Sequence, residues 1–380
     1  MTATDVIVRE VSGKRDLDAF LKVPFKVFED DPNWVPQLFL ERKEHLSPEK
    51  NPYFEHAKAQ LFIAWRSGVP VGRISAQIDQ LHLQRYGDAT GQFGFIDAID
   101  DIEVFRALLA RAGNWLAERG MTRMQGPFSF SINEETGLLV DGFDTPPSIM
   151  MPHARPWYGA RLKELGLKKI KDVIAYDYDI SIEPPRSMLR MVGKAKKAGK
   201  LEIRPISKKH MARDLEIIID IFNDAWSDNW GFVPMTDAEI KALGANLKML
   251  VKEDYIAIAT YDGEPAAMGV TLPNINDWIY DLDGRLLPFG WAKLLWRMYA
   301  GAPKRLRMPL MGVRKKYHGS PVGSALAIAI VNEVRQVHLK RGAERAELSW
   351  ILEDNIAMRH LLDALGATPY KTYRIYEQEL

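Results

Sequence analysis

The segment from His318 to Gly323 reads His-Gly-Ser-Pro-Val-Gly, and an apolar pattern with helical spacing follows it. A glycine-containing turn at a helix start presents backbone N–H groups and the positive end of the helix dipole to an anion. Pro321 has no N–H, so this turn offers one donor fewer than it would with glycine at that position. An ordinary turn that opens a core helix has the same composition, so the loop alone leaves both interpretations open.

Four side chains outside this loop have the chemistry of a general acid or base, namely Glu353, Glu134, His153 and Tyr158. Glu353 stands where a strand is predicted to give way to a helix, a position at which carboxylates also act as caps. Glu134 lies in a polar loop between two apolar runs, where a solvated turn is the alternative. His153 lies between Pro152 and Pro156, and Tyr158 follows Pro156, so prolines fix an extended or turn conformation at this helix start. Structural roles for these two residues also stay open.

The composition excludes several kinds of site. The chain has 380 residues and no cysteine, which rules out a disulfide framework, a thiolate zinc site, an iron–sulfur cluster and a cysteine nucleophile. We predict no metal site. Lys and Arg number 51 and Asp and Glu number 50, a balance that argues against a general nucleic-acid coat. The length predicts two domains or one large one.

The start of the chain bears on its location in the cell. The segment from Met1 to Asp16 is charged and lacks the apolar core of a signal peptide, and no run of 18 apolar residues occurs anywhere. We therefore predict a cytoplasmic protein. Contact with the inner face of a membrane stays open.

Two passages of the chain predict the same order of elements. In each half a strand and one or two helices precede a hairpin, whose turn is Ser67-Gly68 in the first half and Asp262-Gly263 in the second. Strands and helices then alternate to the end of each half. This order predicts an internal duplication by architecture, although not by residue identity. The proline pair Pro184-Pro185 marks the boundary, which gives domains 1–185 and 186–380.

The residues from Val313 to Val334, and those from Ala346 to Glu377, resemble the GCN5-related N-acyltransferase (GNAT) superfamily. In that family a strand runs into a glycine-rich loop and a helix, and a later helix starts near an Asn with a Gly eleven residues beyond it. Asn355 and Gly366 occupy those two positions. The resemblance implies an α/β fold with two tandem GNAT-like domains, each a mixed central sheet flanked by helices.

The same resemblance implies that the loop holds the pyrophosphate of coenzyme A. The implied binding residues are Val313, Tyr317, His318, Gly319, Ser320, Val322, Gly323, Ser324 and Asn355. His318 replaces the Arg or Gln of the family loop, Pro321 replaces its first Gly, and Leu362 replaces the Tyr that the family often uses as an acid. Acyl-CoA is then a substrate and CoA a product, with no cofactor bound permanently.

The equivalent turn in the first half has no glycine and carries Asp97, Asp100, Asp101 and Glu103. Carboxylates at this position would repel a pyrophosphate. We therefore expect the N-terminal domain to lack a pyrophosphate loop and to serve the acceptor side. The C-terminal domain is expected to bind acyl-CoA.

Within the superfamily, segments 121–180 and 348–367 resemble a tandem bacterial family that includes the bacterial ceramide synthases. This resemblance implies transfer of an acyl group to a long-chain sphingoid base, 3-ketosphinganine or sphinganine, in sphingolipid biosynthesis. Glu353, Glu134 or His153 would act as the base, and Tyr158 would supply a hydroxyl to the pocket. Two alternatives stay open, which are N-acetylation of a small polar amine and a sensor that binds acyl-CoA without turnover.

Segment 284–307 combines Trp, Tyr, Phe and Leu with Lys and Arg, and it contains no acidic residue. A helix that lies on an anionic membrane surface needs an apolar, Trp-bearing face with cationic flanks, and this segment is too short and too charged to span a bilayer. A helix packed on the protein's own core, or an oligomer contact, has the same pattern. The expected partners are therefore acyl-CoA, a lipid amine and a membrane surface, and no nucleic acid.

Overall fold

The computed structural model describes residues 5–301 and 303–380, so residues 1–4 of the charged N-terminal segment and Ala302 of segment 284–307 lie outside the described residues. The chain divides into two compact units. Unit 1 comprises the chain up to Val173 with Ile279–Trp291 and Lys371–Leu380, and unit 2 comprises Ile174–Trp278 and Ala292–Tyr370.

Within the described residues the chain forms fifteen strands and twelve α-helices. The strands are β1 (Ile7–Glu10), β2 (Ala57–Arg66), β3 (Val69–Asp79), β4 (Thr90–Ala98), β5 (Arg123–Gly126), β6 (Phe128–Ser129), β7 (Glu135–Thr136), β8 (Leu138–Asp141), β9 (Lys168–Asp179), β10 (Leu201–Pro205), β11 (Ile256–Tyr261), β12 (Glu264–Pro273), β13 (Arg305–Val313), β14 (Arg345–Leu352) and β15 (Thr368–Glu379). The helices are α1 (Gly13–Val27), α2 (Phe39–His45), α3 (Gln80–Tyr86), α4 (Ile102–Ala117), α5 (Tyr158–Glu164), α6 (Arg186–Lys197), α7 (Met211–Trp226), α8 (Asp237–Leu250), α9 (Asn276–Ile279), α10 (Gly290–Ala300), α11 (Pro321–Lys340) and α12 (Ile356–Ala364).

The sheet of unit 1 is mixed. Strands β1, β2, β3 and β4 are antiparallel neighbours in that order. Strand β5 lies parallel to β4, and the C-terminal strand β15 pairs antiparallel with β5 and with β8. The parallel ladder between β4 and β5 is short and ends at the pair Gln92–Gln125. The last strand of the chain therefore completes the sheet of the first unit.

The sheet of unit 2 repeats this plan. Strands β10, β11, β12 and β13 are antiparallel neighbours in that order, and β14 lies parallel to β13. Helices flank both sheets, and α11 carries buried residues on several sides, from Leu326 to His338, as expected of a helix surrounded by core. Each unit is thus a mixed sheet flanked by helices, so the predicted fold class is confirmed.

Both hairpin turns lie where the sequence predicts them, and the structure gives their type. Ser67 and Gly68 both have positive φ, at 50° and 77°, and so do Asp262 and Gly263, at 49° and 83°. Positive φ at both central residues is the type I′ geometry, whose twist matches that of the flanking strands. The same local chemistry therefore closes β2 to β3 and β11 to β12.

Candidate functional site

The glycine loop of unit 2 connects β13 to α11. Val313 ends the strand, Tyr317 ends a short 3₁₀ turn, and Ser320 is the N-cap of the helix. The Ser320 hydroxyl accepts the Gly323 N–H at 3.1 Å and donates to the Tyr317 carbonyl at 2.6 Å. Since Pro321 has no N–H and the cap engages that of Gly323, the loop offers fewer donors than a loop of glycines would.

The loop passes close to the first turn of the helix at Gly323. A Cβ at this residue would lie 2.2 Å from the Tyr317 carbonyl oxygen, so only glycine fits without a shift of the backbone. The His318 Nε2 lies 2.6 Å from the Val313 carbonyl oxygen, which ties the loop to the end of the strand. Gly319 adopts a φ of +66°. The conformation of the loop therefore depends on contacts within the loop itself.

The cations beside the loop all have acidic partners. These pairs are Arg314–Asp220, Lys315–Asp228 at 2.5 Å and Lys316–Glu264 at 2.5 Å. Because the charges are compensated, an anion at the loop would interact with backbone N–H groups and the helix dipole more than with net positive charge.

The parallel strands β13 and β14 separate beside this loop. Their ladder ends at the pair Met308–Leu348. Beyond this pair the Met311 carbonyl accepts the indole N–H of Trp226 at 3.2 Å, and Met311 is paired with Gly269 of β12 on the other side of the strand. Backbone groups released from a ladder are free to bind a ligand, and N–H groups of this kind form oxyanion holes.

A buried polar cluster lies next to the last ladder pairs of unit 2. Arg307 is fully buried, and its Nε donates to the Ser349 hydroxyl at 2.9 Å and lies 3.4 Å from Glu347. The Ser349 and Tyr370 hydroxyls both donate to Glu347. Truncation of one member of such a buried pair leaves an uncompensated charge, so the cluster fixes the two strands relative to each other.

Glu353 and Asn355 lie in the turn between β14 and α12. Asn355 is the N-cap of α12, and its side-chain oxygen accepts the Met358 N–H at 3.1 Å. The Glu353 carbonyl oxygen accepts a hydrogen bond from Arg359 at 2.9 Å. The turn therefore presents a carboxylate at the start of a helix, on the same unit as the glycine loop.

Unit 1 contains a cavity of about 110 Å³ at the point where the β4–β5 ladder ends. Aromatic side chains form much of its wall, namely Phe25, Phe28, Trp34, Phe39 and Phe95. The Trp34 ring stacks on Phe28 with 5.4 Å between centroids and meets Phe25 edge-on at 5.0 Å. These rings give the cavity one apolar side that is held rigid by aromatic packing.

His153 lines the cavity and forms a pair with Asp31. Its Nε2 lies 3.0 Å from the Asp31 carboxylate, and its side chain is 3% exposed. The Nδ1 atom has no hydrogen-bond partner among the described residues. Burial lowers the pKa of the imidazole, and the bond to Asp31 offsets this only in part. A neutral ring that donates from Nε2 to a carboxylate leaves a lone pair on Nδ1, which is the arrangement of a general base.

Glu134 does not line the cavity, and three donors hold its carboxylate. Its carboxylate accepts the Phe130 N–H at 2.8 Å and the Ser131 N–H at 3.2 Å, and it lies 3.2 Å from the His45 Nε2. Burial would raise the pKa of Glu134, but His45 and the two N–H groups outweigh burial and lower it. Burial would lower the pKa of His45, but the Glu134 charge raises it. The two side chains therefore form an ion pair, and a carboxylate so held is a weak base.

Tyr158 is fully buried and bonded to Asp97, which lines the cavity. Its hydroxyl lies 3.3 Å from the Asp97 carboxylate and accepts the Ala98 N–H at 3.0 Å. Burial and the Asp97 charge raise the pKa of Tyr158 well above its usual range. Arg73 pairs with Asp97 at 2.7 Å. Tyr158 therefore orients a cavity carboxylate instead of facing the cavity.

The start of α4 in unit 1 is occupied by acidic side chains. Asp101 is the N-cap and accepts the Glu103 N–H at 2.9 Å. Arg66 pairs with Asp101 at 2.7 Å, and Arg161 pairs with Asp100 at 2.9 Å. The chain's own carboxylate thus takes the place that an anionic ligand would take at this helix.

The structure groups the predicted residues in three places. Residues 313–324 form one loop, Glu353 and Asn355 lie in a second turn of unit 2, and Glu134, His153 and Tyr158 lie in unit 1. The rings of His153 and Tyr158 both lie beside the Phe28 ring, at centroid distances of 5.7 and 6.4 Å.

The charged residues that were not predicted are Arg42, Arg73 and Glu135 of the cavity wall, and Asp31, the partner of His153. Arg73 gave a signal, because it is the only charged residue from Val71 to Ile78. The others lie in polar segments and gave none.

Segment 284–307 exposes large apolar side chains. Trp291, Leu295 and Tyr299 of α10 are 50%, 43% and 88% exposed, so these side chains do not pack on the protein's own core. Among residues 5–301 and 303–380, no helix has both the length and the apolar character needed to cross a bilayer. The same residues contain no group of three or more His, Asp or Glu side chains placed to hold a metal ion.

Comparison with known proteins gives full-length matches. No protein-family model matches the chain. Protein YghO of Escherichia coli (strain K12) is 46% identical over 377 residues, which span 98% of this chain and 95% of that protein. The bacterial ceramide synthase of Caulobacter vibrioides (strain NA1000 / CB15N) is 44% identical over 380 residues, which span 100% and 99%. A solved tandem GNAT protein from the clavulanic acid biosynthesis pathway has the same fold, with a TM-score of 0.56 at 13% identity over 99% of this chain and 98% of that one.

Proposed function

Since the chain belongs to the tandem GNAT acyltransferases, in the family of the bacterial ceramide synthase, we propose that it transfers an acyl group from acyl-CoA to the amine of a long-chain sphingoid base. It is an acyl-CoA-dependent N-acyltransferase by family, and the sphingoid acceptor is the proposed part. The acceptor is sphinganine or 3-ketosphinganine, and the product is a ceramide-type amide. The observation that supports this acceptor is the 44% identity with a protein named bacterial ceramide synthase, over 99% of its length.

The reaction sets two requirements on the protein. The amine nitrogen attacks the thioester carbonyl carbon, a C–N bond forms, and the C–S bond breaks to release the CoA thiolate. The nitrogen loses one proton to a base, and the thiolate or solvent gains one. The protein must therefore supply a base with an available lone pair and N–H donors for the oxygen of the tetrahedral intermediate.

Acyl-CoA binding is assigned in this proposal to unit 2. The loop from Val313 to Ser324 opens α11 with a capped, glycine-dependent turn, and the start of a helix favours the pyrophosphate. The strands that separate after Met308 and Leu348 would present backbone donors to the thioester oxygen. Asn355 would keep the adjoining helix start in place by capping α12.

The base is assigned in this proposal to His153. Its Nδ1 has no partner among the described residues, and its lowered pKa keeps the ring neutral at pH 7. Glu134, held in an ion pair with His45, would shape the loop beside the cavity, and Tyr158 would position Asp97. Glu353 is the rival base, because it lies on the unit to which acyl-CoA is assigned.

The test is an acceptor panel with the purified protein. Thiol release is measured with acyl-CoA substrates whose acyl chains have two to eighteen carbons. Each is combined with sphinganine, 3-ketosphinganine or ethanolamine as the acceptor, and the products are identified by mass spectrometry. We expect turnover with long acyl chains and the two long bases only. Turnover with acetyl-CoA and ethanolamine alone would replace the proposal with acetylation of a small amine. Tight CoA binding without turnover of any amine would replace it with the sensor.

We also propose that α10 rests on an anionic lipid surface, from which the acceptor is drawn. Trp291, Leu295 and Tyr299 are spaced by four residues and lie on one helix face, and all are exposed. Lys293 and Arg297 are also four residues apart and lie on another face. A helix that sits at the headgroup level needs this division between aromatic and cationic faces.

Replacement of Trp291 and Tyr299 by glutamate is expected to lower binding to phosphatidylglycerol vesicles by tenfold or more. The exchange puts two charges where aromatic rings would enter the interface, and it leaves the glycine loop and the cavity polar groups untouched. The measurement is co-sedimentation with vesicles of 30% phosphatidylglycerol and with vesicles of phosphatidylcholine alone.

The matched control is Val69→Glu, an exposed apolar residue on the turn side of a hairpin, which is expected to bind vesicles like the wild type. Equal binding by the double variant would contradict the lipid contact. A wild-type protein that forms dimers, and a double variant that forms monomers, would assign this face to a second copy of the chain.

A further inference from the structure

We infer that the cavity of unit 1 is the subsite for the polar end of the acceptor, namely an amine with an oxygen on the neighbouring carbon. The inference rests on the proposed function, because it assumes an amine acceptor with a long chain. It adds the part of the acceptor that is recognised and the residues that recognise it.

The size of the cavity selects a head group. Its volume is about 110 Å³, and about 10–15 Å³ of such space holds one water molecule. The cavity therefore has room for about seven to eleven groups of that size, such as an amine, the neighbouring oxygens and the first carbons of the chain. Coenzyme A is far larger than this.

The polar wall carries balanced charge. Arg42 pairs with Glu135 at 2.8 Å, and Arg73 pairs with Asp97 at 2.7 Å. Two guanidinium groups and two carboxylates give no net charge, which disfavours an anion such as pyrophosphate. They offer donors to a ligand oxygen and acceptors to a ligand N–H or O–H. An amine next to a hydroxyl or carbonyl group uses both kinds of partner.

His153 adds the acceptor that the amine requires. Its ring is almost fully buried, and its Nδ1 has no partner among the residues that the structure describes. A buried polar atom without a partner carries a free-energy cost that a ligand N–H would remove. Ion pairs beside an apolar wall contribute little to stability, so recognition of a ligand explains their presence better than folding does.

The aromatic wall of the cavity adjoins apolar side chains that the long chain of the acceptor would contact outside the cavity. Phe25 and Phe39 stack with 5.0 Å between ring centroids, and Gly284 lies against both. The Phe39 N–H donates to the Gly284 carbonyl at 2.9 Å, and a Cβ at Gly284 would lie 2.9 Å from the Gln37 carbonyl oxygen. The segment that continues to the exposed Leu287 and Phe289 therefore starts at the cavity wall. A chain that leaves the cavity here meets apolar side chains from its first carbons.

The test compares two amines of equal chain length as acceptors, with the purified protein and palmitoyl-CoA as the acyl donor. Sphinganine has two hydroxyl groups beside the amine, and octadecylamine has none. We expect the wild type to prefer sphinganine by 100-fold or more in kcat/KM, because a site built for hydroxyl groups is left with unpaired polar atoms by the alkyl amine. Arg42→Met with Glu135→Leu removes the ion pair of the cavity wall. Glu41, the other partner of Arg42, is 51% exposed, so water solvates the charge that it keeps. In this double variant the preference is expected to fall below tenfold, with the KM for acyl-CoA unchanged.

The matched control is Arg111→Met with Glu10→Leu, an ion pair of unit 1 outside the cavity, which is expected to keep the full preference. A second variant, Val35→Phe, narrows the cavity without a change of charge and is expected to raise the KM for sphinganine at least tenfold. Suppose that the wild type turns over sphinganine, the Arg42/Glu135 double variant keeps the full preference for sphinganine, and Val35→Phe keeps the wild-type KM for sphinganine. This result would overturn the subsite and leave the proposed function unchanged. A raised KM for acyl-CoA instead would assign the cavity to the acyl chain. Absence of turnover of both sphinganine and 3-ketosphinganine by the wild type would overturn both proposals.

Discussion

His153→Gln is expected to lower kcat by 10²- to 10⁴-fold, the usual contribution of a positioned general base. Glutamine keeps a polar side chain of similar reach, but its amide cannot take up a proton from the attacking amine. The KM for acyl-CoA is expected to stay the same, because His153 lies in the cavity of unit 1 and the glycine loop lies in unit 2. Steady-state kinetics with sphinganine and palmitoyl-CoA gives both quantities.

The pH profile separates catalysis from structure. The base must be neutral, so activity falls as the pH drops through the pKa of His153, and the wild-type acid limb is expected below pH 6.5. The hydrogen bond and charge of Asp31 are what raise this pKa against burial. Asp31→Asn removes the charge and leaves a weaker, uncharged hydrogen-bond acceptor, so the pKa falls further and the acid limb moves to lower pH. A merely structural role for the pair would lower activity without moving the limb.

Two further variants complete this test. His82→Gln changes another histidine of unit 1 that lies beside a carboxylate and has a pKa lowered by burial, but that is outside the cavity lining. It is expected to retain kcat within about twofold of the wild type. Glu353→Gln is expected to have the same kcat as the wild type and the same acid limb in its pH profile. If Glu353→Gln loses activity and Asp31→Asn has the same acid limb in its pH profile as the wild type, the general base is Glu353.

Gly323→Ala is expected to weaken coenzyme A binding tenfold or more. The added Cβ would lie 2.2 Å from the Tyr317 carbonyl oxygen, so the loop must move away from the start of α11. That movement breaks the hydrogen bond from the Gly323 N–H to the Ser320 hydroxyl and displaces the donors that face an anion. Isothermal titration with CoA alone measures the effect without any acceptor, so the result does not depend on the identity of the amine.

The matched control is Gly193→Ala in α6, also in unit 2. A Cβ there meets nothing within 4 Å, and alanine in a helix interior is more favourable than glycine by about 0.5–1 kcal/mol. This variant is expected to bind CoA like the wild type and to melt at the same or a higher temperature. A Gly323→Ala protein that melts lower but binds CoA with unchanged affinity would remove the loop from the acyl-CoA site.

Local chemistry allowed much of the fold to be predicted. The two hairpin turns follow from Ser67-Gly68 and Asp262-Gly263, because a small polar residue followed by glycine favours a turn and the signal lies within four residues. The helix that starts at Pro321 follows in the same way from its cap and its proline. Signals of this kind need no knowledge of the rest of the chain.

The candidate site of unit 1 could be predicted only in part, because its pairs are distant in sequence. His153 and Asp31 are 122 residues apart, and His45 and Glu134 are 89 residues apart. Sequence analysis selected one member of each pair, His153 and Glu134, from the type of residue and its flanking segment. Nothing local marks the second member, since any of the 50 acidic residues of the chain can satisfy a histidine.

The partner of the last strand was unpredictable for a related reason. Residues 371–379 of β15 have the composition of an ordinary strand, and backbone hydrogen bonds are the same whichever strand they join. Their assignment to unit 1, and that of Ile279–Trp291, is set by packing over long sequence distances.

This arrangement has a consequence for biosynthesis. Strand β15 pairs with β5, yet the ribosome must add about 200 residues after Val173 before Lys371 emerges, which takes about 10–40 s at 5–20 residues per second. Throughout that interval one edge of β5 exposes unpaired N–H and C=O groups, the feature that makes nascent sheets aggregate. The edge of β5 therefore stays unpaired until residues 371–379 have left the ribosome, and a ribosome that stalls before them would leave the sheet of unit 1 unfinished.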